Sequence, residues 1–168
     1  GTMLQNAPAL RELSLSHCYM GSAGARRLAD GLSSKNNIVE KLDISGNRLR
    51  AEEAGIFARV LLANQNLKSL VLSDNTIGDA GALELAVALR QNNTLDLLNL
   101  ECNNIGSDGA TALADALVLN DSLKDLNLAW NNIGDDGATS IAEMLTRNES
   151  IEKVSIGGGF DEKGLKAF

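Results

Sequence analysis

Apolar and polar positions along this chain follow one phrase that returns every 28 residues, opening at Leu67, Leu95, Leu123 and Ile151 and reading L-x-x-L-x-L-x-x-N-x-I-G-x-x-G-A-x-x-L-A-x-x-L-x-x-N. Earlier units open near positions 10 and 39. In the first half of each unit, Leu70 and Leu72, Leu98 and Leu100, and Leu126 and Leu128 alternate with polar neighbours, which predicts a strand with one buried side. In the second half Leu85, Ala86 and Leu89 fall three to four apart, as do Leu113, Ala114 and Leu117, and Ile141, Ala142 and Leu145. That spacing predicts an amphipathic helix. Asp79, Ser107 and Asp135 stand at the start of these helices, where a short side-chain oxygen is expected to accept the unpaired N–H groups of the first turn. Asn64, Asn92, Asn120 and Asn148 close them, at a place suited to a residue that tolerates positive φ.

Repetition at this period means that no unit buries its apolar face alone, so the units must stack into one long, thin core. Parallel strands stack at about 4.8 Å while helices need about 8 to 10 Å, so the stack bends with strands inside and helices outside. The expected fold is an α/β leucine-rich repeat solenoid, a right-handed horseshoe with parallel strands on the concave face and helices on the convex face. We take residues 1–168 as a single leucine-rich repeat domain of about five repeats plus a partial one. The phrase from Leu70 to Ala86, Leu98 to Ala114 and Leu126 to Ala142 resembles the ribonuclease-inhibitor subclass of leucine-rich repeats, and most of all the repeats of NOD-like receptors. That resemblance implies a non-catalytic scaffold that binds a protein partner, for instance the sensing region of a NOD-like-receptor-type protein.

Two units depart from the phrase. The first carries Cys18 and Met20 where Asn and Ile recur, and the second has Glu53 where Gly81, Gly109 and Gly137 recur, so its turn into the helix should differ locally. At the ends, Met3 to Ala9 reads as the tail of a preceding helix, and Phe160, Gly164 and Phe168 match Ile133, Gly137 and Ile141 after a one-residue deletion. These ends lack polar caps, which leads us to expect a segment of a longer solenoid, with Gly1 and Thr2 as a cloning remnant, and self-association through uncapped ends.

A formal charge of −7 argues against nucleic acid as a partner, since phosphate-backbone binding needs clustered Lys and Arg. No long uncharged apolar run or leader-like segment supports a membrane partner or secretion. Cys18 and Cys102 lie three repeats apart, about 14 Å by strand spacing, so they are expected as free thiols in a reducing, cytoplasmic setting.

Motifs that suggest chemistry dissolve into the repeat. The N-x-[ST] triplets at Asn92, Asn120 and Asn148 recur in the helix-closing column, and the asparagines Asn47, Asn75, Asn103 and Asn131 form a ladder expected to satisfy buried backbone. Asp79, Asp108, Asp135 and Asp136 lack the twelfth-position acid of a calcium loop, and Gly157-Gly158-Gly159 lacks the Lys of a phosphate loop. His17 is the only histidine, and its neighbour Cys18 falls in the ladder column, expected to point inward. Neither a catalytic site, a metal site nor a cofactor is indicated.

Function therefore belongs to the strand face. The row Arg11, Glu40, Lys68, Asp96, Lys124 and Glu152 alternates in sign and reads as a self-satisfied charge ladder. Among the remaining columns Trp130 stands out, because interface energy concentrates in Trp, Tyr and Arg. We take Val71, Asp74, Leu97, Asn99, Glu101, Asn127 and Trp130 as the candidate partner-binding set. The alternative for Trp130 is that it merely covers Cys102. Two other functions stay open: a GTPase-activating regulator resembling the Ran GTPase-activating protein, with Arg48 and Arg50 as candidate cations, and an actin-binding or assembly module like tropomodulin.

Overall fold

The computed structural model describes residues 9–34 and 37–157. Its elements alternate as β1 (Glu12–Ser14), α1 (Ser22–Leu32), β2 (Lys41–Asp43), α2 (Ala51–Ala63), β3 (Ser69–Val71), α3 (Gly78–Leu89), β4 (Leu97–Asn99), α4 (Ser107–Leu117), β5 (Asp125–Asn127), α5 (Gly134–Leu145) and β6 (Lys153–Ser155). The strands form one parallel sheet in sequential order, in register so that Leu13, Leu42, Leu70, Leu98, Leu126 and Val154 lie side by side. The helices pack in series on the other side of the core, which is the expected α/β leucine-rich repeat solenoid. Met3, Leu4, Phe160, Gly164 and Phe168, on which the reading of both chain ends rests, lie outside the described residues.

The core forms as the periodicities require. Leu70, Leu72, Leu98, Leu100, Leu126 and Leu128 are buried from the strand side, and Leu85, Leu89, Leu113 and Leu117 from the helix side. Phe57, the aromatic in this aliphatic stack, occupies the column of Leu85 and Leu113 and is equally buried. The pattern weakens only at α5, where Ile141 and Met144 are buried but Ala142 is half-buried and Leu145 is 40% exposed. No described helix covers the outer flank of α5.

Two asparagine ladders close the edges of the core, and only one of them matches the sequence expectation. In the first, the Asn131 side-chain amide donates to the carbonyls of Leu100, Leu128 and Ala129, at 2.9, 3.0 and 3.3 Å, while its oxygen accepts from the N–H groups of Asn103 and Ile105 at 2.9 and 3.0 Å. Asn47 and Asn75 repeat this geometry, so each unit satisfies the turn of the one before it. The second ladder, Asn64, Asn92, Asn120 and Asn148, does not take positive φ as expected from its helix-closing position; Asn64 sits at φ −92°. These side chains work across repeats instead. Their amides donate to the carbonyls of Leu32, Leu61, Leu89 and Leu117, the exposed ends of the preceding helices, at 2.6 to 2.7 Å. Their oxygens accept the N–H groups of Leu67, Leu95, Leu123 and Ile151 at 2.7 to 2.9 Å. Orphan helix carbonyls are thereby paired without a left-handed cap.

The helix starts also differ from expectation. Asp79, Ser107 and Asp135 do not cap their own helices. The Asp79 carboxylate reaches the next repeat, where it accepts the N–H groups of Gly106 and Gly109 at 2.6 and 3.0 Å at the start of α4. At the irregular second unit, buried Glu53 accepts the Arg50 N–H at 2.9 Å and the Ser22 hydroxyl, so the turn is closed by a side chain where its neighbours use close helix packing.

Candidate functional site

Strands β3 to β5 bring the expected binding residues onto one surface. Val71, Asn99 and Asn127 are direct register partners, and Leu97 pairs with Ser69 and Asp125 one row earlier. All four are half-buried, as is Glu101, while Asp74 and Trp130 are exposed. At about 4.8 Å per strand these residues cover a patch about 10 Å across the three strands.

Much of this polar surface is fixed in place by its own hydrogen bonds. The Asn99 and Asn127 oxygens accept the N–H groups of Glu101 and Ala129, both at 2.9 Å, and the Asn127 amide donates to the Glu101 carboxylate at 3.0 Å. Asp43 does the same on β2, two strands before Asn99, accepting the Ser45 N–H and hydroxyl at 3.0 and 2.7 Å. Burial pushes the Asp43 carboxyl up, but the two Ser45 bonds, the Ser14 hydroxyl and the proximity of His17 outweigh it and hold the group below its ordinary value.

Beyond that row the chain leaves the sheet through a left-handed residue in each of the first five repeats: His17 at φ 53°, Gly46 at 64°, Asp74 at 54°, Cys102 at 53° and Trp130 at 57°. Each of these donates its N–H to the next strand's continuation, as Asp74 does to Glu101 at 2.9 Å and Trp130 to Gly157 at 2.9 Å. The turn imposes the conformation, at about 1 to 2 kcal/mol for a residue with a Cβ. For a tryptophan it also sets the exposure: Trp130 is 55% exposed, raised on a left-handed backbone at the rim of the sheet. That exposure does not favour the reading in which Trp130 only covers Cys102.

Cys102 lies beside Asp74. Burial pushes its thiol up, and the negative charges of Asp74 and Glu101 and a hydrogen bond with Asp74 push it further, so the thiol is held protonated. Both cysteines are free, as expected. Cys18, expected to point inward, is instead exposed, its thiol donating to the Ser16 carbonyl at 3.4 Å. The charge row is also less complete than expected. Arg11 pairs with Glu40, but Lys68, Asp96, Lys124 and Glu152 form no ion pair among the described residues; the adjacent row supplies Lys41 to Glu12 at 2.6 Å and Lys153 to Asp125 at 3.0 Å. No group of three His, Cys, Asp or Glu side chains comes together as a metal site among the described residues, and no described helix is long and apolar enough to cross a membrane.

A second cluster, unremarked in the sequence reading, lies on the same rim at the first two repeats. Tyr19 is 74% exposed at φ 52°, and the Arg48 guanidinium lies over its ring at 5.0 Å from the centroid. The signal was available as a lone Tyr in the column of Thr76, Asn104 and Asn132, next to the turn.

A curved parallel sheet with serial helices, asparagine ladders and a rigid, polar concave surface defines a leucine-rich repeat scaffold of the protein-interaction type. Within that class the chain belongs to the TMOD/LMOD leucine-rich domain family, whose profile matches residues 55–166; a general leucine-rich repeat profile matches residues 7–29. The structure is similar to that of leiomodin-1 actin-binding site 2, with a TM-score of 0.75, 25% identity, and coverage of 88% of this chain and 86% of that one. The fold is shared with the tropomodulin C-terminal domain of Caenorhabditis elegans, at a TM-score of 0.63, 13% identity and coverage of 98% and 86%. In sequence, the chain is 44% identical to ribonuclease inhibitor of Sus scrofa over 79 residues, 47% of this chain and 17% of that protein. It is 36% identical to leucine-rich repeat-containing protein 45 of Gallus gallus over 78 residues, 46% of this chain and 12% of that protein. The match thus spans less than a fifth of these relatives' length.

Proposed function

We propose that this chain is a non-enzymatic, protein-binding scaffold whose partner is actin, taken on the concave face and anchored by Trp130 with Val71, Asp74, Leu97, Asn99, Glu101 and Asn127 around it. The observation that supports this most is the likeness to leiomodin-1 actin-binding site 2 over most of both chains, together with the family match. The geometry suits the role. A pre-fixed polar floor loses little side-chain entropy on binding, and an exposed tryptophan supplies apolar area at its edge.

Filament cosedimentation and monomer binding with purified actin test the reading. The wild-type chain is expected to bind, and Trp130→Gly to weaken binding about tenfold with little change in stability, because glycine relieves the left-handed backbone. Absence of binding to either form of actin would defeat the actin assignment, and binding unaffected by Trp130→Gly would defeat the anchor.

The identity to ribonuclease inhibitor favours a second reading, with a ribonuclease as partner. That stretch is under three repeat lengths, and the repeated phrase consists of buried residues, so it speaks more to the scaffold than to the ligand. The receptor-sensor resemblance rests on the same buried phrase. For a GTPase-activating role Arg48 would have to leave the Tyr19 ring. We rank all three below actin.

A further inference from the structure

We propose that the rim of the first two repeats carries a separate docking site for an acidic segment of a protein partner, built on Tyr19, Arg48 and Arg50. These residues border a cavity of about 360 Å³ whose floor includes Met20 and Asn47. It lies at the turns between strand and helix, away from the β3 to β5 patch, and does not depend on what the concave face binds.

Charge supply is the first argument. Two carboxylates also border the cavity, Glu52 and Glu53, but both are already engaged: Glu52 with Arg26 at 2.5 Å, and buried Glu53 with the Ser22 hydroxyl and the Arg50 N–H. The guanidiniums of Arg48 and Arg50 have no carboxylate at ion-pair distance among the described residues, although both side chains are exposed. Two guanidinium forks without an ion-pair contact beside one cavity match the planar, bidentate geometry of Asp and Glu carboxylates, with the Arg50 charge felt only at longer range by Glu53.

The second argument is strain and exposure. Tyr19 and Arg48 both hold left-handed backbones, at φ 52° and 59°, and the tyrosine is the most exposed large apolar-bodied side chain described. Stacking of Arg48 on Tyr19 orients the guanidinium before any ligand arrives, which lowers the ordering cost of binding. Tyr and Arg are the residue types in which interface energy concentrates. Electrostatics also favours this end of the molecule: Arg11, Arg26, Arg27, Arg48, Arg50 and Arg59 all precede the third repeat, whereas the later repeats are dominated by Asp and Glu. An acidic segment is therefore steered to the first two repeats and repelled from the rest.

Fluorescence anisotropy of the full chain with a fluorescein-labelled twelve-residue peptide of repeating Asp-Glu-Leu tests the site, against the same peptide in Asn-Gln-Leu form and a labelled single-stranded RNA. The acidic peptide is expected to bind, the neutral one not, with about tenfold weakening in the R48Q/R50Q double variant and several-fold weakening in Tyr19→Ser. R27Q/R59Q, which changes total charge equally on helix surface that does not border the cavity, should leave affinity within about twofold. Thermal unfolding checks that each variant is folded, and Tyr19→Ser keeps the test decisive if the double variant is not. Equal binding of the neutral peptide, tighter binding of RNA, no effect of R48Q/R50Q, or an equal effect of R27Q/R59Q would overturn the proposal. So would a wild-type dimer in sedimentation that R48Q/R50Q dissolves, since the occupant would then be a second copy of the chain.

Discussion

Asn131 pairs five backbone groups through one buried side chain, which makes it a sharper probe of the fold than any leucine. Replacement by Leu keeps the volume but leaves the N–H groups of Asn103 and Ile105 without a partner. Each unpaired buried group costs about 1 to 3 kcal/mol, so Asn131→Leu is expected to destabilise by about 2 to 6 kcal/mol in urea unfolding. A loss under about 0.5 kcal/mol would mean that water takes over the ladder. Glu53 gives a pH dependence. Burial pushes its carboxyl up, but the Ser22 hydroxyl, the Arg50 N–H and the Arg50 charge outweigh it and hold it below its ordinary 4.5. A carboxyl lowered by folding stabilises above its unfolded value, and that contribution disappears as pH falls through the folded one. Wild-type stability should therefore drop from about pH 4.5 downward, and Glu53→Gln should show a shallower drop over the same range. Equal slopes would show that Glu53 stays ionised or unpaired in both states. The sequence makes the buried columns plain, because periods of two and of three to four residues report directly which side chains face inward. It does not reveal where the polar side chains reach. Asp79 caps the following helix and Asn64 the preceding one, and such partners, about one repeat away in sequence, leave no local pattern.

Helices α3 and α4 pack so closely that the first turn of α4 has room only for glycine. A Cβ at Gly109 would stand 2.6 Å from the Asp79 carboxylate, 2.8 Å from the Ile105 methyl and 3.1 Å from the Ala82 methyl. Alanine gains about 1 kcal/mol in helix propensity, while overpacking costs about 1 to 3 kcal/mol and the Asp79 cap is displaced, so Gly109→Ala is expected to destabilise. At Gly55, inside α2, the nearest atom is the flexible Glu84 side chain at 3.7 Å. There Gly55→Ala should stabilise by about 0.4 to 1 kcal/mol. Thermal unfolding of both variants checks the pair; the same sign at both sites would mean that helix spacing does not set the glycine column. The sequence marks that column, but its reason lies in the approach of neighbouring helices. The second unit, where Glu53 replaces the glycine, shows the other way of closing the same turn.

Because the strands stack more tightly than the helices, the whole molecule presents a concave face of ordered side chains and a convex face of helix surface. Of the seven candidate residues, Val71, Leu97, Asn99 and Asn127 lie side by side on β3 to β5 and Asp74, Glu101 and Trp130 follow those strands, since register in a parallel sheet fixes neighbours once the repeat is aligned. The rim was harder to read. His17, Gly46, Asp74, Cys102 and Trp130 share a left-handed backbone and no side-chain chemistry, so nothing in their types announces that the turn lifts each of them outward. Hydrogen–deuterium exchange of the chain with and without saturating actin monomer tests the central claim most directly. Slowed exchange concentrated in β3, β4 and β5 and their following turns through Trp130, with α2 to α5 unchanged, is the expected result. Protection confined to the helices, with the strand turns exchanging as in the free chain, would contradict it.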